Sequence, residues 1–220
     1  MFQALRQWLG ASPAEGGRWV VLDAESSGLN PDRDRLLSLA AVAVHREPHV
    51  PHAGLRIVPV DSFETVLRQP ACDAAPDKAN ILVHGLGLGT QQAGVAPEFA
   101  LRAFMAWAGS APLIGYHVAF DRQLLERAER AHGLRAPHRR WLDLAELAPV
   151  LRHDVPGRSL DDWLTAFGIQ CPARHEAAAD ALATAELLLC LWPLVRHQHR
   201  APPDFAALQR LAAARRWLGA

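Results

Sequence analysis

Short apolar runs alternate with amphipathic segments along the chain, and each kind predicts a different element. Arg18–Asp23 is short, apolar and followed by a turn-rich segment, which is typical of a buried strand. Leu36–His45 predicts a second strand, and the more alternating Ala53–Val60 predicts a third. The turn sequence Asn30–Asp34 indicates that the first two strands form a hairpin.

The second half of the chain continues with short strands and longer helices. Pro112–Tyr116 and Trp141–Leu144 predict two further strands. The segments with helical periodicity are Pro97–Ala108, Val118–His132 with Gly133 as its C-cap, Ser159–Phe167 with a capping box at Ser159 and Asp162, Ala177–Leu191, and an amphipathic segment from Pro203 onward. Gly85–Gly89 lacks the spacing of a nucleotide-binding loop and is interpreted as a flexible loop. This order predicts an α/β fold with a mixed sheet, whose ligand site lies at the carboxyl ends of the strands.

The length of 220 residues fits one large domain with tails. Residues 1–17 are predicted to form an N-terminal helix and linker, 18–197 the main domain, and 198–220 a C-terminal helical tail. Zero net charge argues against a broad phosphate-binding surface, but bound divalent ions can supply positive charge locally. Three cysteines without a C-x-x-C pair suggest neither a disulfide framework nor a structural zinc site. With no run of 18 apolar residues, we expect no membrane segment and a cytoplasmic location.

Carboxylates occur at three places where the predicted elements end or begin. Asp23 and Glu25 follow the first strand at positions i and i+2, so both side chains point to one face and would repel each other without a cation. Asp121 follows the fourth strand, and Asp180 lies on the alanine-rich helix five residues after His175. Each carboxylate alone is more often a solvated or helix-dipole residue. Together they indicate a site for Mg²⁺ or Mn²⁺, which prefer oxygen ligands.

These segments resemble the motifs of the DEDD exonucleases of the histidine subtype, which include the proofreading epsilon subunit of bacterial DNA polymerase III and RNase T. The family's D-x-E-T-T-G is similar to residues 23–28, and its G-H-N-x-x-F-D is similar to residues 115–121. Its H-x-x-x-x-D is matched by His175 and Asp180, and its V-H-G-I by Val83–Leu86. The chain departs from the pattern in two places, because Ser26 and Ser27 replace threonines and His117 replaces asparagine.

The resemblance implies a ribonuclease H-like fold, with a mixed five-stranded sheet flanked by helices. It also implies two Mg²⁺ or Mn²⁺ ions held by the catalytic carboxylates of Asp23, Glu25, Asp121 and Asp180. One ion would activate water and the other would steady the leaving oxygen. His175 would act as general base, a role that suits its reference pKa of ~6.5.

The same resemblance gives expectations for the substrate. Ser26, Ser27 and Gly28 would bind the terminal nucleotide, and His117 would alter the grip on it. His84 would lie beside that nucleotide, although a helix-capping histidine is an equal alternative. We expect a 3′→5′ exonuclease that acts on single-stranded DNA in repair or proofreading and releases nucleoside 5′-monophosphates. An exoribonuclease that trims RNA 3′ ends and an inactive nucleic-acid or polymerase-binding module remain as alternatives. The terminal helices are candidates for docking a polymerase or another protein partner.

Overall fold

The computed structural model describes residues 17–46, 54–70, 81–82, 84–135, 138–199 and 201–217, and its centre is a five-stranded sheet. The strands are β1 (Arg18–Ser26), β2 (Leu36–Arg46), β3 (Leu55–Val66), β4 (Leu113–Gly115) and β5 (Trp141–Asp143). Their order is β3-β2-β1-β4-β5. β1–β2 and β2–β3 pair antiparallel, whereas β1–β4 and β4–β5 pair parallel. The predicted hairpin and the mixed five-stranded sheet are therefore confirmed.

The third strand is longer than its sequence pattern predicts. β3 continues to Val66, six residues beyond the predicted end at Val60. Its register with β2 shifts, because Val58 lies opposite Ala43 while Ser62 lies opposite the preceding residue of β2. Residues 59–61 thus form a bulge, where Pro59 has no N–H to lose from the ladder. The bulge interrupts the alternation of apolar and polar residues, so the sequence pattern does not indicate the second half of the strand.

Helices lie on both sides of the sheet. They are α1 (Leu88–Ala93), α2 (Pro97–Ala108), α3 (Ala119–Ala131), α4 (Leu144–Leu151), α5 (Leu160–Phe167), α6 (Ala177–His197) and α7 (Phe205–Ala213), followed by a 3₁₀ helix (Ala214–Trp217). The capping box of α5 is confirmed, since Ser159 Oγ accepts from the Asp162 amide at 3.2 Å and Asp162 Oδ2 accepts from the Ser159 amide at 3.0 Å. α6 continues past its predicted end at Leu191 and through Pro193. Trp192 and Val195, both buried, hold this last part of the helix in the core.

Two of the helices bounded above were not predicted. α1 begins at Leu88, so the loop expected at Gly85–Gly89 is wrong in its last two residues. α4 follows β5 directly, with the Asp143 carboxylate as its N-cap, and it contains Pro149. A proline inside a helix removes one backbone hydrogen bond, which explains why the sequence pattern gave no clear helix there.

Two apolar layers sandwich the sheet, and β1 contributes to both. Trp19 and Val21 belong to the layer that α4, α5, α6 and α7 cover. Val20 and Leu22 belong to the opposite layer, with α2 and α3. This alternation is the two-residue period of a strand that is buried on both faces. It also places Asp23 on the face of Trp19 and Val21, which is the face that α6 covers.

The C-terminal segment packs into the first layer. Phe205 of α7 contacts the Trp19 ring edge-on, with ring centroids 5.6 Å apart, and Leu208 is fully buried in the same cluster. The division into 18–197 and 198–220 stays a prediction, but the helix of the predicted tail lies against the core. The predicted N-terminal helix lies outside the described residues.

Among the described residues, α6 alone is long and apolar enough to cross a membrane by length and composition. It lies against β1 and β2, and 56% of its most apolar window is buried inside the protein. The helix also carries the buried Asp180. The hydrophobic core of the protein therefore accounts for its apolar character.

Candidate active site

The site lies where the first strand leaves the core. Asp23 and Glu25 follow the buried residues Trp19–Leu22 on β1, and their side chains point to the face that α6 covers. Asp180 lies in the first turn of α6 and is 5% exposed. Ligand oxygens of these three carboxylates all lie within 4.8 Å of one another. Residues 157 positions apart in the chain thus meet at one place.

Asp121 reaches the same region from the neighbouring strand. It lies in the first turn of α3, which follows β4, the parallel neighbour of β1. Its side chain is buried, but it is not part of the group within 4.8 Å. Its connection to that group is electrostatic, because the Asp121 charge contributes to raising the pKa of Asp23. We use the term carboxylate cluster for Asp23, Glu25, Asp121 and Asp180.

Burial and mutual repulsion raise pKa values within the carboxylate cluster. Burial, followed by the charge of Asp121, raises the pKa of Asp23 well above its usual range. Burial also raises the pKa of Glu25 to about 7 and that of Asp121 to about 8. Carboxylates in this condition hold protons unless a cation replaces them. The oxygen donors and their spacing fit a divalent ion such as Mg²⁺ or Mn²⁺.

His175 lies directly before α6, as predicted. It has a left-handed backbone (φ 66°), and its amide N–H donates to Asp180 Oδ2 at 3.0 Å. The residue is exposed, and its backbone lies beside the carboxylate cluster. The backbone of His175 therefore orients one cluster carboxylate while its side chain stays available.

Arg174, which the sequence analysis did not identify, also contacts the carboxylate cluster. Its Nη1 forms an ion pair with Asp180 Oδ1, and its Nε pairs with Asp161 Oδ1 at 2.5 Å. The Arg174 charge opposes the raised pKa values of Asp23 and Glu25. The only sequence signal was an arginine next to the motif histidine, which does not distinguish an ion pair from a solvated side chain.

The predicted substrate-binding residues of the first motif are held within their own loop. Ser26 Oγ donates to the Gly28 carbonyl at 2.5 Å, and Ser27 Oγ accepts from the Arg35 amide at 2.9 Å. A Cβ at Gly28 would lie 2.6 Å from Asp34 Oδ2, so a side chain at this position would displace the Asp34 carboxylate from its contacts with Ser27 and Asn30. The two serine hydroxyls thus shape the turn beside the carboxylate cluster, and their binding of substrate stays a prediction.

His84 is buried, and its Nδ1 accepts from the Leu86 amide at 3.0 Å. Burial lowers the pKa of His84, which favours the neutral ring that this hydrogen bond requires. The contact matches the local capping alternative. Its Nε2 has no hydrogen-bond partner within the described part of the chain, and Val83 lies outside that part. A substrate contact of His84 stays a prediction.

His117 is exposed and has a left-handed backbone (φ 55°). Asparagine and histidine are both enriched in this conformation, so histidine at this position is compatible with the backbone that an asparagine would adopt. Asp143, which the sequence analysis did not identify as a site residue, accepts from the amides of His117 and Val118. The turn that leads into α3 and Asp121 is therefore tied to the end of β5.

Comparisons of the sequence with known proteins all lead to one family. The RNase T exonuclease model matches residues 20–188. The chain is 31% identical over 193 residues to a DNA polymerase III subunit epsilon-like protein of Rhodobacter capsulatus, covering 86% of this chain and 25% of that protein. It is 26% identical over 178 residues to the PolC-type DNA polymerase III of Lacticaseibacillus paracasei, covering 79% of this chain and 11% of that protein. The chain thus spans a quarter or less of these relatives.

Solved structures share the fold at low sequence identity. E. coli exonuclease I in complex with a dT13 oligonucleotide aligns with a TM-score of 0.68 and 18% identity, over 83% of this chain and 42% of that chain. Cell-death related nuclease 4 aligns with a TM-score of 0.67 and 14% identity, over 81% of this chain and 64% of that chain. The ribonuclease H-like fold expected from the sequence is therefore confirmed.

Proposed function

Because this chain belongs to the RNase T exonuclease family, we propose that it removes nucleotides from the 3′ end of single-stranded DNA with the help of divalent metal ions. The observation that carries the proposal is the meeting of Asp23, Glu25 and Asp180 within 4.8 Å, with Asp121 beside them. Buried carboxylates at this density require a strong cation to remain ionised. A phosphodiester is the substrate class whose cleavage benefits from such a centre.

We assign the binding of two Mg²⁺ or Mn²⁺ ions to the carboxylates of Asp23, Glu25, Asp121 and Asp180. When bound, such ions lower the pKa of water and balance the negative charge that develops on the phosphate. The raised pKa values of Asp23, Glu25 and Asp121 support this assignment, because the single positive charge of Arg174 only partly offsets four carboxylates. The backbone N–H of His175 keeps Asp180 oriented toward the other carboxylates.

His175 is the proposed general base. Its imidazole is exposed beside Asp180, where it can take the proton from the water that attacks phosphorus. A neutral histidine accepts a proton near neutral pH, which suits this role. The bond from phosphorus to the 3′ oxygen of the penultimate nucleotide then breaks, and a nucleoside 5′-monophosphate leaves.

The substrate contacts follow from the loops around the carboxylate cluster. We propose that the turn of Ser26, Ser27 and Gly28 binds the terminal nucleotide through its backbone amides and hydroxyls, since it lies directly after Glu25. His117 is exposed on the turn before α3, where it can contact the strand being degraded. His84 is proposed as a further contact through its Nε2, which has no hydrogen-bond partner among the described residues.

Two observations favour DNA over RNA. The relatives are named for subunits of DNA polymerase III, and the exonuclease I neighbours were solved with dT13 and dA16 oligonucleotides. The same names support a polymerase as partner, and docking through the segments at the two ends of the chain stays a prediction. An exoribonuclease is the second candidate, because a metal-binding carboxylate cluster can cleave the phosphodiester bonds of either nucleic acid. The presence of all five proposed catalytic residues argues against an inactive binding module.

Digestion of labelled oligonucleotides tests the proposal. With Mn²⁺, the protein should shorten single-stranded DNA from a free 3′ end, but not when that end is blocked, and should lose activity in EDTA. The Asp23→Ala variant should be at least about 100-fold slower, while Asp154→Ala, which changes an exposed aspartate paired with Arg152, should match the wild type. Equal rates for wild type and Asp23→Ala would exclude this site. Faster digestion of RNA would replace the DNA preference, and degradation of the 3′-blocked strand would refute the polarity.

A further inference from the structure

The Arg174 side chain joins two helices beside the carboxylate cluster. One end of its guanidinium pairs with Asp180 at the start of α6, and Nε pairs with Asp161 of α5 at 2.5 Å. The two partners differ in environment, because the Asp161 side chain is 62% exposed and that of Asp180 only 7%. Arg174 therefore holds one buried partner and one solvated partner at the same time.

Protein donors occupy both oxygens of Asp180. Oδ2 accepts the backbone N–H of His175 at 3.0 Å, and Oδ1 is paired with the Arg174 guanidinium. The Cys171 Sγ lies 3.5 Å from the same Oδ1. A metal ion that binds through Asp180 must share or take over one of these positions. The backbone amide is fixed by the chain, whereas the arginine head group can move.

We propose that Arg174 is a positioning residue that competes with the divalent cation for Asp180. When the cation binds, the guanidinium releases Asp180 and keeps its contact with Asp161. This inference rests on the proposed metal site. Arginine suits the exchange because its planar fork of donors can keep one carboxylate while it releases another. In the metal-free protein, the guanidinium is the counter-charge that lies against the Asp180 carboxylate. In the loaded protein, the ion takes that place.

Loss of Arg174 and loss of the Asp161 charge should change the metal affinity in opposite directions. Without Arg174, the ion meets no competitor and an uncompensated negative cluster, so it should bind more tightly. Without the charge of Asp161, the guanidinium has no second partner and stays on Asp180, so the ion should bind more weakly. A merely structural role for the Arg174 bridge would weaken metal binding in both variants, because both would loosen the contact between α5 and α6.

Calorimetric titration of the full chain with MnCl₂, in the absence of nucleic acid, tests the inference. Arg174→Gln should lower the dissociation constant of Mn²⁺ by about tenfold, and Asp161→Asn should raise it by several-fold, as expected for gaining or losing one nearby charge interaction. Arg102→Gln is the matched control, because Arg102 pairs with Glu98 on the exposed surface of α2 and should leave the constant unchanged. Circular dichroism verifies that each variant is folded.

The outcomes separate this inference from the proposed function. An Arg174→Gln protein that is folded but binds Mn²⁺ with an unchanged or higher dissociation constant would overturn the role of Arg174 while leaving the metal site intact. An Asp161→Asn protein that binds Mn²⁺ as tightly as the wild type, or more tightly, would show that Asp161 does not hold the Arg174 guanidinium when the ion binds. A wild-type protein that binds no Mn²⁺ would refute the metal site and the competition together.

Discussion

The Asp143 carboxylate accepts a hydrogen bond from the backbone N–H of His117 at 2.9 Å. It also accepts from the Val118 amide at 3.1 Å and from the Ala145 amide at 2.9 Å. One carboxylate thus joins the left-handed turn before α3 to the start of α4. Because α3 carries Asp121 in its first turn, Asp143 controls the position of a proposed metal ligand without being one.

Replacing Asp143 by alanine should impair both folding and activity. The change removes an N-cap and leaves two further amides without their charged acceptor, which should cost about 2–4 kcal/mol of unfolding free energy. We also expect kcat to fall more than KM rises, because Asp121 loses its support. Urea denaturation and nucleotide release measure the two effects. Asp154→Ala serves as the control, and unchanged kinetics in a destabilised Asp143→Ala protein would show that the turn does not position Asp121.

Replacing His175 by asparagine should separate proton transfer from metal binding. Asparagine is favourable at the left-handed backbone of residue 175, so the fold should be retained. The rate should fall by about 10²–10⁴-fold, as expected for the loss of a general base. The dissociation constant of Mn²⁺ should stay the same, because the exposed imidazole is not in the ligand group. His153→Asn is the control, and a His175→Asn protein with wild-type kcat would contradict the proposed role.

The metal-free protein should lose stability as pH rises from about 4 to about 8. Folded Glu25 and Asp121 have pKa values of about 7 and about 8, whereas unfolded carboxyls ionise near pH ~4. A pKa that is raised by folding contributes stability that is complete below the unfolded value and is lost as pH rises through the folded value. Urea titrations in EDTA at several pH values should show this slope.

The Asp121→Asn variant provides the comparison for this pH dependence. Asparagine cannot ionise, so the fall in unfolding free energy should be smaller than in the wild type over the same pH range. Saturating Mn²⁺ should remove most of the slope from the wild type, because the ion favours the ionised carboxylates. Parallel slopes for the two metal-free proteins would mean that Asp121 is ionised throughout.

Replacing Gly28 by alanine should disturb the loop that follows Glu25. The new Cβ would lie 2.6 Å from Asp34 Oδ2, so the Asp34 carboxylate must move and give up its hydrogen bonds to Ser27 and Asn30, at a cost of about 1–3 kcal/mol. We expect the KM for oligonucleotides to rise, because this turn is the proposed binding site for the terminal nucleotide. Gly89→Ala is the matched control, since residue 89 lies in α1 with open space around it. An unchanged KM in Gly28→Ala would remove this loop from the substrate site.

The sequence predicted the elements with strong local signals. Buried strands such as β1 and β2 are nearly continuous in apolar residues. The capping box of Ser159 and Asp162 marks the start of α5. The second half of β3 was missed because the bulge at residues 59–61 breaks the alternation. α4 was missed because Pro149 weakens its helical pattern. Local pattern fails where tertiary packing, and not propensity, decides the conformation.

The same distinction applies to the candidate site. Asp23, Glu25 and Asp180 could be predicted because their spacing and order within motifs carry chemical meaning. Arg174 and Asp143 could not, because their importance comes from partners such as Asp161 and His117, which only the folded chain brings near. The left-handed backbone at both His117 and His175 has only a weak sequence signal, since histidine adopts it less readily than glycine.

Asp180 and Trp192 lie on one continuous helix, α6, which is about 30 Å long at 1.5 Å per residue. Trp192 contacts Trp19 with ring centroids 5.7 Å apart, in the middle of the hydrophobic layer. Because the helix is continuous, a shift at Trp192 moves Asp180 as well. Substitution of Trp19 or Trp192 should therefore change the position of the Asp180 carboxylate. Amide hydrogen exchange along α6 should accordingly be slow from Trp192 back to Asp180, so that the helix holds the carboxylate cluster rigidly against the hydrophobic layer.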